Sequence, residues 1–256
     1  LQGGASHFAD GLPIHRSEDV TYLENGRPVT LPSDFYSTYG YTDKIIEYIG
    51  ESDKEPFFAY LVYTAPHDPL QVPNDWLDRY RGAFDKGPAY AKSQRRKRLV
   101  ELGLIEEGVQ LAEATNLPRW LDGHKKPWSE RSTKERAQDA RRMEIYAAMV
   151  EIVDQEIGRL IEYLKSSGKL ENTYIIFMSD NGPEWHYPHH GISAPYRGSY
   201  FTALEGSIRV PFIASMPKTI KPANVSDEIV HVVDVMPTIG SLVGFDMPTD
   251  RNIDGI

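Results

Sequence analysis

Cysteine is absent from the 256 residues, which excludes disulfides, thiolate metal sites and a cysteine nucleophile and leaves the redox compartment open. Positive charge is scarce: 28 Lys and Arg stand against 37 Asp and Glu, a formal net charge of −9. The one basic run, at 95 to 98, is short, so a nucleic-acid backbone is not an expected partner. A negative field also opposes an anionic substrate, and a site for one needs a local cation cluster or a bound metal. Long apolar runs are missing as well. Nothing approaches the length that spans a bilayer, and LQGGASHFAD has neither the charged nor the apolar region of a signal peptide, so no membrane span is expected. A single sequon, Asn224-Val225-Ser226, is a triplet that chance supplies often.

What is present is the composition of a globular chain, 40% hydrophobic and 25% charged, long enough to bury a core as one domain or as part of a larger one. Apolar, β-rich runs at 57 to 63, 174 to 179 and 208 to 215 end in turn-formers or prolines, as buried strands of an α/β sheet do. Residues 131 to 166 open with Ser132 and Thr133 before Glu135 and close at Gly168. Between those signals Met143, Tyr146, Met149, Val150, Val153, Ile157, Ile161 and Leu164 recur at helical spacing, which predicts a long amphipathic helix packed on the sheet. Shorter helices are expected at 42 to 50, at 90 to 103 and at 227 to 242, the last containing Asp234 and Pro237. The stretch from 68 to 130 is otherwise irregular, proline-rich and charged, an excursion or lid beside the core.

In an open α/β sheet, ligands bind beyond the carboxyl ends of the strands. His67 and Asp68 follow the first apolar run, and Asp180-Asn181-Gly182, then Glu184, His186, His189 and His190, follow the second. Asp180 and Asn181 offer the oxygen ligands that hard cations such as Ca²⁺ take, with Gly182 free to turn the chain away. The same triplet is also an ordinary D-N-G turn, and two donors do not complete a Ca²⁺ shell. His67 can donate to an anionic oxygen or protonate a leaving group, or it is a loop histidine held by backbone contacts. The three later histidines lack the acidic base that an H-E-x-x-H zinc motif carries beside its first histidine, which favours a structural or substrate-rim role. Ser193, Pro195 and Arg197 stand at the S-x-P-x-R spacing of a hydrolase nucleophile turn.

The segments FFAYLVYTAPHDPLQVP, YIIFMSDNGPEW, FTALEGSIRVPFIASMP and IVHVVDVMPTIGSLVG, with the opening ASHFADG…YLENGRPVTLPSDFYSTYGYTDKIIEYI, resemble the later part of the sulfatase family. That family belongs to the alkaline-phosphatase-like superfamily. The resemblance implies an α/β sandwich with a mostly parallel central sheet flanked by helices. It also implies one Ca²⁺, held by Asp180 and Asn181 together with two aspartates expected upstream. His67, in the A-P-H turn, is matched to the family histidine that contacts the sulfate and helps the leaving oxygen depart. The family lysine near the E-G-G-x-R stretch is missing from Glu205-Gly206-Ser207-Ile208-Arg209. An ungapped count puts Tyr200 in its place, and a three-residue insertion puts Arg197 there. Arg197 is the better anion clamp, because a guanidinium forks onto two oxygens and keeps its charge. Arg209 is expected to close a structural ion pair, and His186 to line the substrate rim.

The family's formylglycine turn, its early Asp-Asp pair and its G-K-W-H segment do not precede His67. The small C-terminal sheet is also absent. The expectation is therefore a partial catalytic domain over residues 1–256, inactive alone, from a protein that cleaves small-molecule sulfate monoesters in the periplasm or outside the cell. A phosphoester or phosphonate hydrolase of the same superfamily, and a non-catalytic module that kept the fold, are the alternatives. The position of Ser193, after the metal turn and leading into Glu205, fits an anion clamp around Arg197 better than a nucleophile.

Overall fold

The computed structural model describes residues 5–10, 12, 21–52, 55–110, 128–183, 193 and 195–255. It divides into two compact units, Leu1–Met216 and Pro217–Ile256. In the first unit, the strand pair β1 (Leu23–Glu24) and β2 (Arg27–Pro28) is antiparallel. Asn25 and Gly26 join the two strands, both at positive φ (50° and 76°), which is the Asn-Gly signature of a tight hairpin. Helix α1 (Ser37–Glu51) follows, then α2 (Gly87–Glu101) and α3 (Thr133–Ser166).

Helix α3 begins where the capping signal places it. The Glu135 N–H donates to Ser132 Oγ at 3.3 Å, and the Ser132 N–H donates to Glu135 Oε2 at 2.6 Å, a capping box that satisfies two otherwise orphaned donors. At the far end Gly168 turns left-handed (φ 72°) and the Lys169 N–H reaches the Leu164 carbonyl at 2.8 Å, which closes the helix. The buried face differs from the apolar periodicity. Met143, Met149 and Leu164 are buried as expected, but Tyr146, Val150 and Ile161 are exposed, and Asp139, Glu144 and Glu156 are buried. Each of these acids is met by arginine: Arg131 and Arg142 at Asp139, Arg141 at Glu144, and Arg159 at Glu156. Buried carboxylates with such partners can sit on a core face, and a hydrophobicity pattern does not show them.

The core joins Tyr36, Ala65 and Val72 to Ile145, Ala148, Met149 and Ile152 of α3. Arg159 also reaches across to α1, donating to Asp43 Oδ1 at 2.6 Å. Helix α1 starts well before the expected residue 42, because its first turn is built by tertiary contact: the Ser37 N–H donates to the His7 carbonyl at 2.8 Å, and Ser37, Thr38 and Thr42 are buried. The excursion after residue 68 is anchored along its first part. Glu144 accepts the Gly82 N–H at 2.7 Å, Arg79 pairs with Glu151 at 2.6 Å, and Arg141 donates to the Leu77 carbonyl at 2.6 Å.

Strand β3 (Ile175–Met178) pairs antiparallel with β4 (Phe212–Ser215), and the short helix α4 (Glu205–Ile208) precedes β4. The class is α/β, with helices packed beside short sheets. Among the described residues the ladders are two-stranded and antiparallel. The run at 57 to 63 lies outside both ladders; Phe58 and Tyr60 are 75% and 80% exposed, while Phe57, Leu61 and Tyr63 are half-buried. Ala59 is exposed as well, so the alternation of half-buried and exposed side chains holds only from Tyr60 to Tyr63. Strand β4 is exposed along its length rather than buried.

In the second unit, the His231 ring accepts the Val233 N–H at 3.2 Å and Asp234 Oδ2 accepts the His231 N–H at 2.8 Å. These bonds open a 3-10 turn (Val232–Asp234) that leads into α5 (Val235–Val243). The helix is shorter than the expected 227 to 242, and Pro237 sits in its first turn, where a missing N–H costs nothing. Among the described residues no helix is long and apolar enough to cross a membrane.

Candidate functional site

His67 lies in a turn whose Ala65–Pro66 and Asp68–Pro69 peptide bonds are both cis. Its N–H donates to the Thr64 carbonyl at 2.9 Å, and its ring Nδ1 lies 2.7 Å from the Asp68 carbonyl. A carbonyl only accepts, so Nδ1 carries a proton. Nε2 of this exposed side chain is then the atom that can meet a ligand. Behind the turn, His7 is 1% exposed; its ring contacts the His67 carbonyl through Nε2 at 3.1 Å and Ser37 Oγ through Nδ1 at 2.8 Å. Burial pulls the His7 pKa below its ordinary 6.5, against the opposing pull of its hydrogen bond to the His67 carbonyl. Tyr36, in the same core, is pushed up to about 12 by burial.

Asp180 and Asn181 follow directly from β3. Asp180 is exposed, and its Oδ1 accepts the Asn181 N–H at 2.9 Å. Asn181 Nδ2 donates to the Gly182 carbonyl at 2.9 Å. Among the described residues nothing engages Asp180 Oδ2 or Asn181 Oδ1. Both are hard oxygen donors that fit a cation such as Ca²⁺, although no group of three His, Cys, Asp or Glu side chains completes a metal site among the described residues.

The turn is welded to the loop that carries Arg197. The Gly182 N–H donates to the Ser207 carbonyl at 2.7 Å, Tyr200 N–H to the Pro183 carbonyl at 2.9 Å, and Gly206 N–H to the Arg197 carbonyl at 2.7 Å. The approach is so close that a Cβ on Gly182 would stand 2.0 Å from the Gly206 carbonyl oxygen, and one on Gly206 would stand 2.2 Å from Ser193 Oγ. Ser193 Oγ itself donates to the Gly198 carbonyl at 2.6 Å, which makes it a clasp of the loop. Arg197 is exposed and engages no ion pair among the described residues, whereas Arg209 pairs with Glu205 at 3.5 Å and lies 4.6 Å over the Tyr196 ring. Tyr200 is half-buried, its ring 4.0 Å from that of Phe201.

Asp180, Asn181, Arg197 and Tyr200 therefore share one backbone knot. His67 is held by another, and no hydrogen bond links the two among the described residues. Glu184, His186, His189 and His190 lie outside the described residues. Two contributors escape sequence reasoning: His7, whose role depends on burial, and Gly206, whose role depends on a neighbour 24 positions away in sequence. The Gly182 and Gly206 positions carry the only local signal, since close backbone approach demands glycine.

The chain is 38% identical over 283 residues to an uncharacterised sulfatase of Schizosaccharomyces pombe, covering 93% of this chain and 50% of that protein. It is 32% identical over 283 residues to an arylsulfatase of Klebsiella aerogenes, covering 96% and 59%. The chain thus spans about half the length of the curated relatives it matches. Among solved structures, Ps i-CgsB bound to a neocarrahexaose superposes on 100% of this chain and 47% of its own, with a TM-score of 0.68 at 23% identity. A phosphonate monoester hydrolase from Silicibacter pomeroyi superposes on 91% and 43%, with a TM-score of 0.58 at 21% identity. At these identities the two structures speak for the fold. A family model described as Sulfatase matches residues 2–245, and on that match the chain belongs to the sulfatase family.

Proposed function

We propose that the full protein hydrolyses small-molecule sulfate monoesters, and that this chain supplies the anion-binding and leaving-group side of the site. The observation that carries the reading is the pairing, in one backbone knot, of Asp180 Oδ2 and Asn181 Oδ1 with the guanidinium of Arg197, all three without a partner among the described residues. Asp180 and Asn181 would supply two of the roughly six to eight oxygens that Ca²⁺ takes. A cation held there would withdraw charge from a sulfate oxygen and polarise the ester. Arg197 forks onto two sulfate oxygens and holds its charge at any working pH; Tyr200 offers only a neutral hydroxyl. With Nε2 also protonated, His67 donates through it to the sulfate and passes that proton to the alcohol oxygen as the S–O bond breaks.

The formylglycine nucleophile and the two further aspartate ligands belong, on this reading, to the part of the full protein outside the chain. The chain by itself is inactive. The test is turnover of 4-nitrophenyl sulfate by the full-length protein, with and without a Ca²⁺ chelator, beside the 1–256 chain and beside 4-nitrophenyl phosphate and an aryl phosphonate. Chelator-sensitive sulfate turnover by the full-length protein alone is expected. Preference for phosphate or phosphonate would transfer the site to those esters, and turnover by the 1–256 chain would overturn its inactivity.

A further inference from the structure

His7 takes no part in the chemistry above, yet it is 1% exposed and its polar atoms are engaged on all sides. Its N–H donates to Gln71 Oε1 at 2.9 Å, and its carbonyl accepts the Ser37 N–H at 2.8 Å. Ring Nε2 faces the His67 carbonyl at 3.1 Å, so the proton sits on Nε2. Nδ1 then accepts from the Ser37 hydroxyl at 2.8 Å, and the tautomer is fixed by the partners on both sides. Thr64 Oγ1, 3.4 Å from both Ser37 Oγ and His7 Nδ1, brings the other end of the turn into the same cluster. A histidine kept only for packing has no need to grip both ends of one turn. This one spans Thr64 to His67 from 60 positions away in sequence.

We propose that His7 is a positioning residue for His67: its Nε2–H tethers the His67 main chain, and Ser37 locks the ring that does so. The imidazole of His67 is thereby presented from a fixed base, with its own Nδ1 already committed to Asp68. The catalytic consequence rests on the sulfate-ester reading; the tether does not. A reacting group misplaced by about an ångström loses up to about a hundredfold in rate, so the expected effect is on kcat.

The test uses the full-length protein as wild type, His7→Ala, His7→Gln and Ser37→Ala. Each is measured for 4-nitrophenyl sulfate kinetics, thermal melting and NMR of ¹⁵N-labelled histidine, which reports the chain's eight histidines. His7→Ala is expected to lower kcat about tenfold to a hundredfold with KM little changed, and to move the His67 resonances. His7→Gln keeps a donor amide and recovers most of both; Ser37→Ala falls between. The proposal is overturned if folded His7→Ala leaves the His67 resonances and kcat in place, or if a stably folded His7→Gln is as impaired as His7→Ala. Should His7→Ala fail to fold, the wild-type spectrum and His7→Gln decide: His7 protonated on Nδ1 overturns the tether, and protonation on Nε2 with rescue by Gln supports it. A wild-type protein without sulfate turnover sinks the functional reading alone, because the His67 resonances still report the tether.

Discussion

At the His67 turn, position is set by side chains drawn from distant segments: the His7 ring, Ser37 at the head of α1, and Gln71 closing behind them. At the Asp180 turn it is set mostly by main chain against main chain: a Cβ on Gly182 would meet the Gly206 carbonyl, and one on Gly206 would meet Ser193 Oγ and the Gly198 carbonyl. The first arrangement can give by a rotamer. The second cannot, since a backbone carbonyl has nowhere to move without breaking the bonds from Gly182, Tyr200 and Gly206. On the sulfate-ester reading both supports fix what they hold: side chains fix the base from which His67 would meet a leaving group, and main chain fixes the oxygens that would meet a cation.

The comparison breaks most severely at Gly182→Ala. A methyl group 2.0 Å from the Gly206 carbonyl oxygen forces the knot apart, and overpacking of this kind costs about 1–3 kcal/mol, with the larger end expected where backbone must yield. Urea denaturation should show that loss, and isothermal titration should show Ca²⁺ affinity falling with it. Unchanged stability would mean that the two backbones do not touch.

Next in size is Arg197→Ala. On the sulfate-ester reading, losing a charged hydrogen-bonding partner of the sulfate costs roughly 1.5–3 kcal/mol, about a tenfold to hundredfold fall in kcat/KM, with melting temperature unchanged because the Arg197 side chain supports nothing else among the described residues. Tyr200→Phe should keep most activity. The reverse outcome would make Tyr200, placed by the ungapped count, the anion-binding residue. Ser193→Ala, smaller again, removes the clasp onto the Gly198 carbonyl. The expected cost is about 1 kcal/mol of stability with turnover retained, whereas abolished turnover in a stably folded variant would return Ser193 to the chemistry.

Much of this was legible in the sequence wherever the cause is local. The capping box at Ser132 and Glu135 and the glycine stop at Gly168 act within a turn of their own residues, and α3 lies between them. The start of α1 was not legible, because a bond from His7 sets it. The buried face of α3 was only half legible: Tyr146 and Val150 follow the apolar period yet are exposed, while Glu144 and Glu156 are buried by virtue of arginine partners. The run at 57 to 63 alternates in exposure only from Tyr60 to Tyr63 and pairs with no described neighbour, so its composition was readable and its sheet was not. At the site, Asp180, Asn181, His67 and Arg197 announce themselves by chemistry. The elements that hold them do so by burial and close approach, which exist only once the chain has folded.

The smallest effect concerns pH and the His67 side alone. Burial lowers the His7 pKa below 6.5, so the folded protein favours the neutral ring while the unfolded chain keeps the ordinary value. Between those two values the unfolded chain binds more protons, and stability must fall as pH drops. The contribution is fully present above 6.5 and is lost as pH falls through the lower folded value. His7→Gln cannot titrate there. Urea midpoints of wild type and His7→Gln, measured from about pH 8 down to about pH 5, should run parallel above the unfolded value and converge or cross below it. Curves that stay parallel throughout would mean that His7 accepts its proton in place and that the tether to the His67 carbonyl does not depend on a neutral ring.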